Sequence, residues 1–485
     1  MDHGRAPVLE ALTAYRRRGS HPYSPPGHKG GAGADPRVTE VLGAGVFASD
    51  VLAMNGLDDR RMSGDVLAEA AALMADAVHA DHTFFSTCGS SLSVKSAMLA
   101  VAGPHEKLLV ARDAHKSVIA GLIIAGIEPV WVHPRWDVGH HLAHPPGPEE
   151  VEEAFRRAPD AKGMLLASPT AYGTCADLRG VAEVCHRRGR PLVVDEAWGA
   201  HLPFHPELPA WAMDAGGDVC VTSVHKMGAG LEQGSVFHLQ GGLVDPDVLK
   251  AREDLMGTTS PSVLVYAALD GWRRQMVEHG EKLLGRALDL AHRTREEIAR
   301  LAGLVPLAGE LTGPGRAFDH DPLMVTVDVS GLGTSGYAVA DWLRAHRQAN
   351  VGLADHRRVV AQLTHADSEE SCVYLLDALT EVVKRREELP PPARVELPSP
   401  AGLEQETVML PRDAFFGPAE QVPVEQAVGR VAAEMASPYP PGVPAVCPGE
   451  RVSREAADYL RSGVAAGMYV PDTADPSLRT LRVAA

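Results

Sequence analysis

The sequence predicts an α/β protein built around a mainly parallel β-sheet. Between residues 66 and 240, apolar runs of four to six residues alternate with segments whose apolar residues have helical spacing. The short runs are rich in β-branched or aromatic residues and are bounded by turn residues, as buried strands are. Strands of this kind that are separated by helices are typical of βαβ units, in which helices cover the faces of a parallel sheet.

The individual elements follow from the same patterns, taken in chain order. A short helix over 5–18 ends in a Gly- and Pro-rich arm, and a second helix covers 66–80. Strands are predicted at 83–86, 107–111, 128–133, 163–168, 191–195, 218–223 and 235–239, with helices between them at 91–103, 116–126, 149–158 and 178–189. One or two long helices are predicted over 262–303.

The second half of the chain predicts smaller folded regions. A strand, a helix, a second strand and a second helix are expected within 322–387, and a Pro-rich linker follows at 388–402. The predicted division is an N-terminal arm over 1–35, a large domain over 36–300, a small α/β domain over 301–390 and a C-terminal α+β domain over 391–485.

Composition excludes several classes of function. The 485 residues include 46 Lys and Arg against 63 Asp and Glu, which gives a net charge of −17. Nucleic acids and anionic membranes attract basic surfaces, so neither is an expected partner. No apolar stretch is long enough to span a membrane, and the N-terminus lacks the features of a secretion signal. Six dispersed cysteines without a metal-binding spacing predict a reduced, cytoplasmic protein with no metal site.

Two residues at predicted strand ends point to a carbonyl cofactor. Asp195 ends the apolar strand PLVVD, and Lys226 follows the strand DVCVTS within the motif Ser-Val-His-Lys. A buried lysine can form a Schiff base, and a carboxylate at a strand end can pair with a protonated ring nitrogen. Alone, Asp195 also fits a helix N-cap or a Mg²⁺ ligand, and Lys226 fits a surface loop. Together they are the pair that pyridoxal phosphate (PLP) requires.

A third motif predicts a site for the phosphate of this cofactor. Gly89, Ser90 and Ser91 begin a predicted helix, whose free N–H groups and hydroxyls suit an anion. Ser223 and His225 could supply further donors. His115 follows another predicted strand, where its ring could stack on a planar cofactor; it also fits an ordinary structural histidine.

These motifs resemble the bacterial ornithine/lysine/arginine decarboxylases of PLP fold type I, and they occur in the family's order over nearly the whole chain. The matching segments are PGHKGG (26–31), GSS (89–91), RDAHKS (112–117), SPTAYGTCADL (168–178), VDEAWGAH (194–201), SVHK (223–226), TTSPS (258–262) and PYPPGVPAVCPGE (438–450). The resemblance implies an aspartate aminotransferase-like large domain, a smaller α/β domain, a C-terminal domain and a homodimer or a multiple of one.

The resemblance also implies a role for each matched residue. Lys226 would hold PLP, Asp195 would keep the ring nitrogen protonated, and His115 and Ala197 would cover the two faces of the ring. The phosphate would be held by Gly89, Ser90, Ser91, Ser223 and His225. Thr258 and Ser260 would reach the site of a partner subunit.

The implied reaction is decarboxylation of lysine, ornithine or arginine to CO₂ and the corresponding amine. The substrate's cation needs an acidic partner, for which Asp355 and Glu450 are the candidates, with Trp198 as a further substrate contact. Asp50 and Asp58 are acidic residues in other family-like segments. Three positions depart from the family pattern and leave the substrate open: Cys88, Trp198 and Gly352.

Two other readings remain open. A PLP aminotransferase or amino-acid oxidase could share this fold, with Arg357 or Arg358 binding the substrate carboxylate, although a solvated basic turn explains these arginines better. An inactive regulatory homologue is the second alternative, against which the presence of both Asp195 and Lys226 argues.

Overall fold

A computed structural model describes residues 1–53, 57 and 65–485 of the chain. Its α-helices are α1 Pro7–Arg18, α2 Pro36–Leu42, α3 Ala44–Ser49, α4 Val66–Ala77, α5 Ser90–Val101, α6 Lys116–Ala125, α7 Pro148–Arg157, α8 Leu178–His186, α9 Val224–Met227, α10 Pro246–Met256, α11 Val263–Ala299, α12 Gly336–Arg347, α13 Glu369–Lys384, α14 Pro400–Leu403, α15 Pro411–Phe416, α16 Val424–Ala427 and α17 Arg454–Ala465. Its strands are β1 His82–Ser86, β2 Lys107–Ala111, β3 Glu128–Val132, β4 Arg135–Asp137, β5 Leu142–His144, β6 Met164–Ala167, β7 Thr174–Cys175, β8 Leu192–Asp195, β9 Val219–Ser223, β10 Ser235–Leu239, β11 Val305–Leu307, β12 Asp319–His320, β13 Met324–Asp328, β14 Leu353–Ala354, β15 Arg358–Gln362, β16 Ala419–Pro423 and β17 Thr480–Ala484.

The chain forms two compact units, each assembled from two separate stretches of sequence. The first unit contains Met1–Ala100 and Val193–Leu284, and the second contains Val101–Leu192 and Gly285–Ala485. The four-domain division expected from the sequence stays a prediction.

The first unit is built on four hydrogen-bonded strands. β8 and β9 are parallel, whereas β10 is antiparallel to both β9 and β1. Every residue of β8, β9 and β10 is buried. Strands that are covered on both faces do not alternate apolar and polar residues, which explains their mainly apolar sequences.

A buried ion pair holds the N-terminal segment of the first unit against α11. Arg273 and Asp270, one helical turn apart, are both fully buried, with 3.0 Å between Nη2 and Oδ1. Arg273 also donates to the carbonyl oxygens of His3 and Arg5, while Asp270 accepts from the Val8 N–H at 2.9 Å. These backbone groups fix the entry into α1.

The second unit contains a parallel sheet in the order β6–β2–β3. It also contains a separate antiparallel sheet in the order β11–β13–β15–β14, with α12 and α13 in the same region of the chain. Gly336 begins α12 very near this sheet. A Cβ at that position would lie 2.0 Å from the carbonyl oxygen of Arg358, so no other residue fits without moving the strand.

The C-terminal part of the second unit has its own apolar cluster. β16 and β17 form an antiparallel pair in the register Ala419↔Ala484, and α17 packs its apolar face nearby. The buried side chains of this cluster include Val422, Val446, Leu460 and Leu481.

The sequence predictions for individual elements are largely confirmed. Strands β2 and β10 have the predicted bounds, the other predicted strands differ by one or two residues, and 262–303 forms the single helix α11. Helices α2 and α3 and the β4–β5 hairpin were not predicted. Among the described residues, no helix is both long and apolar enough to cross a membrane.

Candidate active site

The parallel strands β8 and β9 bring the two predicted cofactor residues to the same edge of the first unit. Asp195 is the last residue of β8 and aligns with Val221 of β9. Ser223 ends β9, and the single helical turn α9 that follows carries Lys226. Ligands of α/β sheets bind at the carboxyl ends of parallel strands, which is where both residues lie.

Burial shifts the pKa values of both residues toward their neutral forms. The Asp195 side chain is 6% exposed, and loss of water raises the pKa of its carboxyl group, although the positive charge of Lys226 opposes the rise. Desolvation likewise lowers the pKa of the Lys226 ammonium, with the Asp195 charge acting in the opposite direction. From the part of the chain that the structure describes, Asp195 accepts one hydrogen bond, which the Ala197 N–H donates at 3.3 Å. A buried carboxylate with so little compensation suits a cationic ring nitrogen.

The predicted phosphate loop lies beside the end of β9. Gly89 has a φ of +74°, and its N–H donates to the carbonyl oxygen of Gln233 at 3.0 Å. The Ser223 hydroxyl donates to the Ser90 hydroxyl at 2.7 Å, which joins the two predicted phosphate-binding segments. Ser91, the next residue of α5, is exposed. The start of this twelve-residue helix and the joined hydroxyls fit a phosphate group.

His225 lies between Ser223 and Lys226 and is anchored by the loop before β10. Its Nδ1 is 3.1 Å from the carbonyl oxygen of Gly234, which makes Nδ1 the protonated ring nitrogen in this contact. The Nε2 atom lies 3.9 Å from a carboxylate oxygen of the exposed Glu232. The ring is therefore oriented by the backbone, and its phosphate role stays a prediction.

Trp198 and Ala197 occupy the tight turn after β8. Ala197 is 8% exposed. The Nζ atom of Lys226 lies over the indole ring of Trp198, 4.2 Å from the ring centroid. Trp198 was expected to contact substrate; the structure places it against the lysine.

Thr258 and Ser260 lie in the exposed loop between α10 and α11. The Ser260 N–H donates to the Thr258 hydroxyl oxygen at 3.1 Å, which fixes the turn locally. Their role in a partner subunit stays a prediction.

His115 belongs to the second unit, where it caps helix α6. Its Nδ1 accepts from the Ser117 N–H at 3.2 Å and lies 2.9 Å from the Ser117 hydroxyl. The ring packs closely against Gly442, where an added Cβ would lie 3.0 Å from its Nε2. Stacking on the cofactor rests on the family resemblance and stays a prediction for this residue.

Glu450 has an internal partner that the sequence did not reveal. Its two carboxylate oxygens accept from Nε and Nη2 of Arg112, each at 2.9 Å, and the Cys447 N–H donates to it at 2.9 Å. Both side chains of the pair are buried. The charge of Glu450 is therefore matched within the protein, and its contact with the substrate cation stays a prediction.

The carboxylate of Asp355 also has hydrogen-bond donors within the protein. It accepts from Nε of Arg358 at 2.9 Å, from the Tyr172 hydroxyl at 3.0 Å and from the backbone N–H groups of Arg357 and Arg358. The charge of Arg358 and these donors lower the pKa of its carboxyl group despite burial. Asp355 therefore closes a loop of the second unit, and its contact with substrate stays a prediction.

The arginines considered for an aminotransferase are engaged within the same unit. Arg357 forms an ion pair with Asp328, with 2.7 Å between Nη2 and Oδ2, and donates to the carbonyl oxygen of Gly139. Arg358 donates to the carbonyl oxygens of His140 and His141. Both guanidinium groups hold the loop between β4 and β5.

Of the remaining acidic candidates, Asp50 lies 3.1 Å from Nε2 of His28 in the first unit. Asp58 lies outside the described residues.

Two buried carboxyl groups near the motifs were missed from the sequence. Glu196 is fully buried, accepts from the Ala212 N–H and the Cys220 thiol, and has a pKa raised well above its usual range by burial. Burial also raises the pKa of the Asp113 carboxyl group to about 7, although its backbone N–H and the charge of Arg112 oppose the rise. Both residues lie inside family-like motifs, VDEAWGAH and RDAHKS, and this position was the signal that could have identified them.

Comparison with known proteins agrees with this arrangement. The family model for Orn/Lys/Arg decarboxylase, major domain, matches residues 6–308, and the model for the C-terminal domain of the same family matches 401–471. An arginine decarboxylase of Halalkalibacterium halodurans is 36% identical over 99% of this chain and 97% of its own length. An arginine decarboxylase of Bacillus subtilis is 35% identical over 100% of this chain and 98% of its own.

The fold is also that of a solved structure. The constitutive lysine decarboxylase of E. coli superimposes with a TM-score of 0.81 at 21% identity, covering 100% of this chain and 82% of that one. The predicted PLP fold type I architecture is thereby confirmed. The chain is an enzyme that belongs to the Orn/Lys/Arg decarboxylase family.

Proposed function

We propose that this enzyme is a PLP-dependent decarboxylase of a basic L-amino acid, with L-arginine as its preferred substrate. The observation that carries the cofactor assignment is the pairing of Asp195 and Lys226 at the ends of adjacent parallel strands, where each group is desolvated. The family implies PLP, and the buried carboxylate and the buried amine are the two groups this cofactor needs.

The residues of the first unit divide the binding task between them. Asp195 would hold the proton on the ring nitrogen, and Lys226 would hold the aldehyde carbon. The hydroxyls of Ser90 and Ser223, with the first N–H groups of α5, would bind the phosphate. Bound PLP supplies an acceptor for the electron pair that remains when the carboxyl group leaves as CO₂.

Lys226 has a second task in this proposal, because decarboxylation replaces CO₂ by a proton. Once the substrate amine has displaced it, Lys226 is a free amine whose pKa has been lowered by burial. This lowering makes its ammonium form a stronger proton donor, so Lys226, after taking up a proton from solvent, would return it to the substrate carbon.

The preference for arginine rests on the relatives. Three near-full-length relatives at 35% or 36% identity are named arginine decarboxylases. Because Asp355 and Glu450 have internal partners, neither is assigned to the substrate cation. Lysine and ornithine are the alternatives to be compared in the same assay.

Product analysis tests the reaction. Purified enzyme with PLP should convert L-arginine to CO₂ and the corresponding amine, faster than lysine or ornithine and much faster than the neutral compounds citrulline and norleucine. Formation of a 2-oxo acid without CO₂ would identify an aminotransferase or oxidase instead. Equal rates for citrulline and arginine would contradict a requirement for the cation.

Chemical trapping tests the cofactor assignment separately. Borohydride reduction of the PLP-loaded enzyme, followed by peptide mass spectrometry, should place the cofactor on Lys226, and Lys226→Ala should remove the label. A label on another lysine would refute the assigned role.

We also propose that the enzyme works as a homodimer or a multiple of one. The exposed loop with Thr258 and Ser260 is the segment that would reach a partner's site. Mixing Lys226→Ala protomers with protomers carrying Thr258→Ala and Ser260→Ala should restore part of the activity. An active monomer in sedimentation at assay concentration would contradict this proposal.

A further inference from the structure

The contact between Lys226 and Trp198 gives the lysine a partner that the cofactor assignment does not use. Nζ lies over the face of the indole, 4.2 Å from its centroid, well within the range of a cation–π interaction. Trp198 comes three residues after Asp195, so one turn carries both the carboxylate and the aromatic ring.

The turn holds this indole in a defined position. The Gly199 N–H donates to the carbonyl oxygen of Glu196 at 2.8 Å, and the Leu202 N–H donates to the carbonyl oxygen of Gly199 at 3.0 Å. A Cβ at position 199 would lie 2.4 Å from Cγ of Glu196, which shows how tightly the turn is packed. Trp198 is therefore fixed by its backbone on the side of the turn that faces Lys226.

The free lysine needs such a partner. Burial lowers the pKa of its ammonium group, and among the described residues the one charge that opposes this effect is Asp195, which acts through space without a hydrogen bond. When PLP is bound, the same carboxylate would be matched by the ring nitrogen. The indole face, 4.2 Å from Nζ, would still favour the positive charge of the lysine.

We propose that Trp198 is a positioning residue for Lys226, whose indole face binds the ammonium form of the lysine whenever the amine is free. This inference rests on the proposed function, in which substrate displaces the lysine. An ammonium group is not a nucleophile, so the contact would delay the return of Lys226 to the cofactor and keep a proton donor beside the substrate.

The test measures the titration of Lys226 in the full-length chain freed of cofactor. Limited acetylation at a series of pH values, with quantitative peptide mass spectrometry, gives the apparent pKa of this lysine. The variants are Trp198→Leu, which removes the aromatic face, and Trp198→Phe, which keeps a weaker one. Trp342→Phe is the matched control, because Trp342 lies in the second unit and its buried indole N–H has no hydrogen-bond partner among the described residues.

Trp198→Leu is expected to lower the apparent pKa of Lys226 by about one unit, with Trp198→Phe in between and Trp342→Phe unchanged. An unchanged or raised pKa in Trp198→Leu would overturn the proposal. If circular dichroism shows that Trp198→Leu does not fold, the apparent pKa of Lys226 in Trp198→Phe tests the proposal instead. A lowered pKa supports it, and an unchanged or raised pKa overturns it. Borohydride labelling of a different lysine would refute the proposed function, whereas the titration of Lys226 would still report on the indole contact.

Discussion

Replacing Glu450 by Gln should destabilise the protein and leave substrate recognition unchanged. The two carboxylate oxygens of Glu450 are bound by Arg112 and by the Cys447 N–H, and the side chain is 1% exposed. Arg112 is almost as deeply buried, and it also donates to the carbonyl oxygen of Pro444 at 2.7 Å. The substitution removes one charge and leaves the other buried.

The size of the effect follows from this burial. Breaking a buried ion pair by removing one partner costs about 3–5 kcal/mol, because the remaining charge is left uncompensated. Arg112 cannot reduce this cost by losing a proton, because its guanidinium group stays charged. Gln has nearly the shape of Glu and keeps one hydrogen-bond acceptor for Arg112. We therefore expect the loss of stability to lie at the low end of this range, at about 3 kcal/mol. For a unit of about 290 residues, this corresponds to a fall in Tm of about 5 °C.

Thermal unfolding followed by circular dichroism measures this cost, with KM for arginine determined on the same samples. Glu406→Gln is the matched control, because its ion pair with Arg451 is exposed and should contribute at most about 1 kcal/mol. The double variant Arg112→Met/Glu450→Met should be less destabilised than the sum of its single variants. An unchanged Tm together with a raised KM in Glu450→Gln would refute this reasoning and return Glu450 to the substrate site.

Three further predictions concern the first unit. Asp195→Asn should lower turnover by about a hundredfold or more while Tm stays equal or rises, since burial already disfavours the Asp195 charge; kinetics and thermal unfolding check both. Ser223→Ala should weaken PLP binding about tenfold and leave binding of unphosphorylated pyridoxal unchanged, as measured by titration. Burial lowers the pKa of His238 to about 3 in the folded protein, whereas the unfolded chain keeps the ordinary value of about 6.5. Below about pH 6.5 the unfolded chain therefore binds one more proton at this residue than the folded protein, and the free energy of unfolding falls as the pH falls. His238→Gln should therefore show a shallower loss of Tm between pH 7 and pH 4, and equal slopes would contradict this.

The strands were predictable because their information is local. A strand covered on both faces favours a mainly apolar run, and the sequences of β2 and β10 show such runs between turn residues. Strand direction is not encoded in such a run. The sequence therefore predicted a mainly parallel sheet but could not show that β10 is antiparallel to both of its neighbours.

The motif positions were predictable for a similar reason, whereas the roles of the acidic residues were not. Asp195 and Lys226 each follow a recognisable strand, so their placement at one edge follows from the parallel pairing of β8 and β9. The partner of Glu450 is Arg112, which lies 338 residues earlier in the chain. No local pattern reveals a pairing over that distance, and the fold alone creates it.

The three carboxylates show how the structure separates structural acids from a functional one. Glu450 accepts three hydrogen bonds from charged or backbone donors, and Asp355 accepts four. Asp195 is buried as well, but within the described part of the chain it accepts a single long bond from a backbone N–H. Carboxylates whose charge is matched by internal donors stabilise the fold, and they gain little further stabilisation from binding a ligand. A buried carboxylate that the protein leaves nearly unmatched costs stability, and binding a cation at that position recovers the cost. This difference, which no single residue type encodes, is the physical reason for assigning the cofactor's ring nitrogen to Asp195.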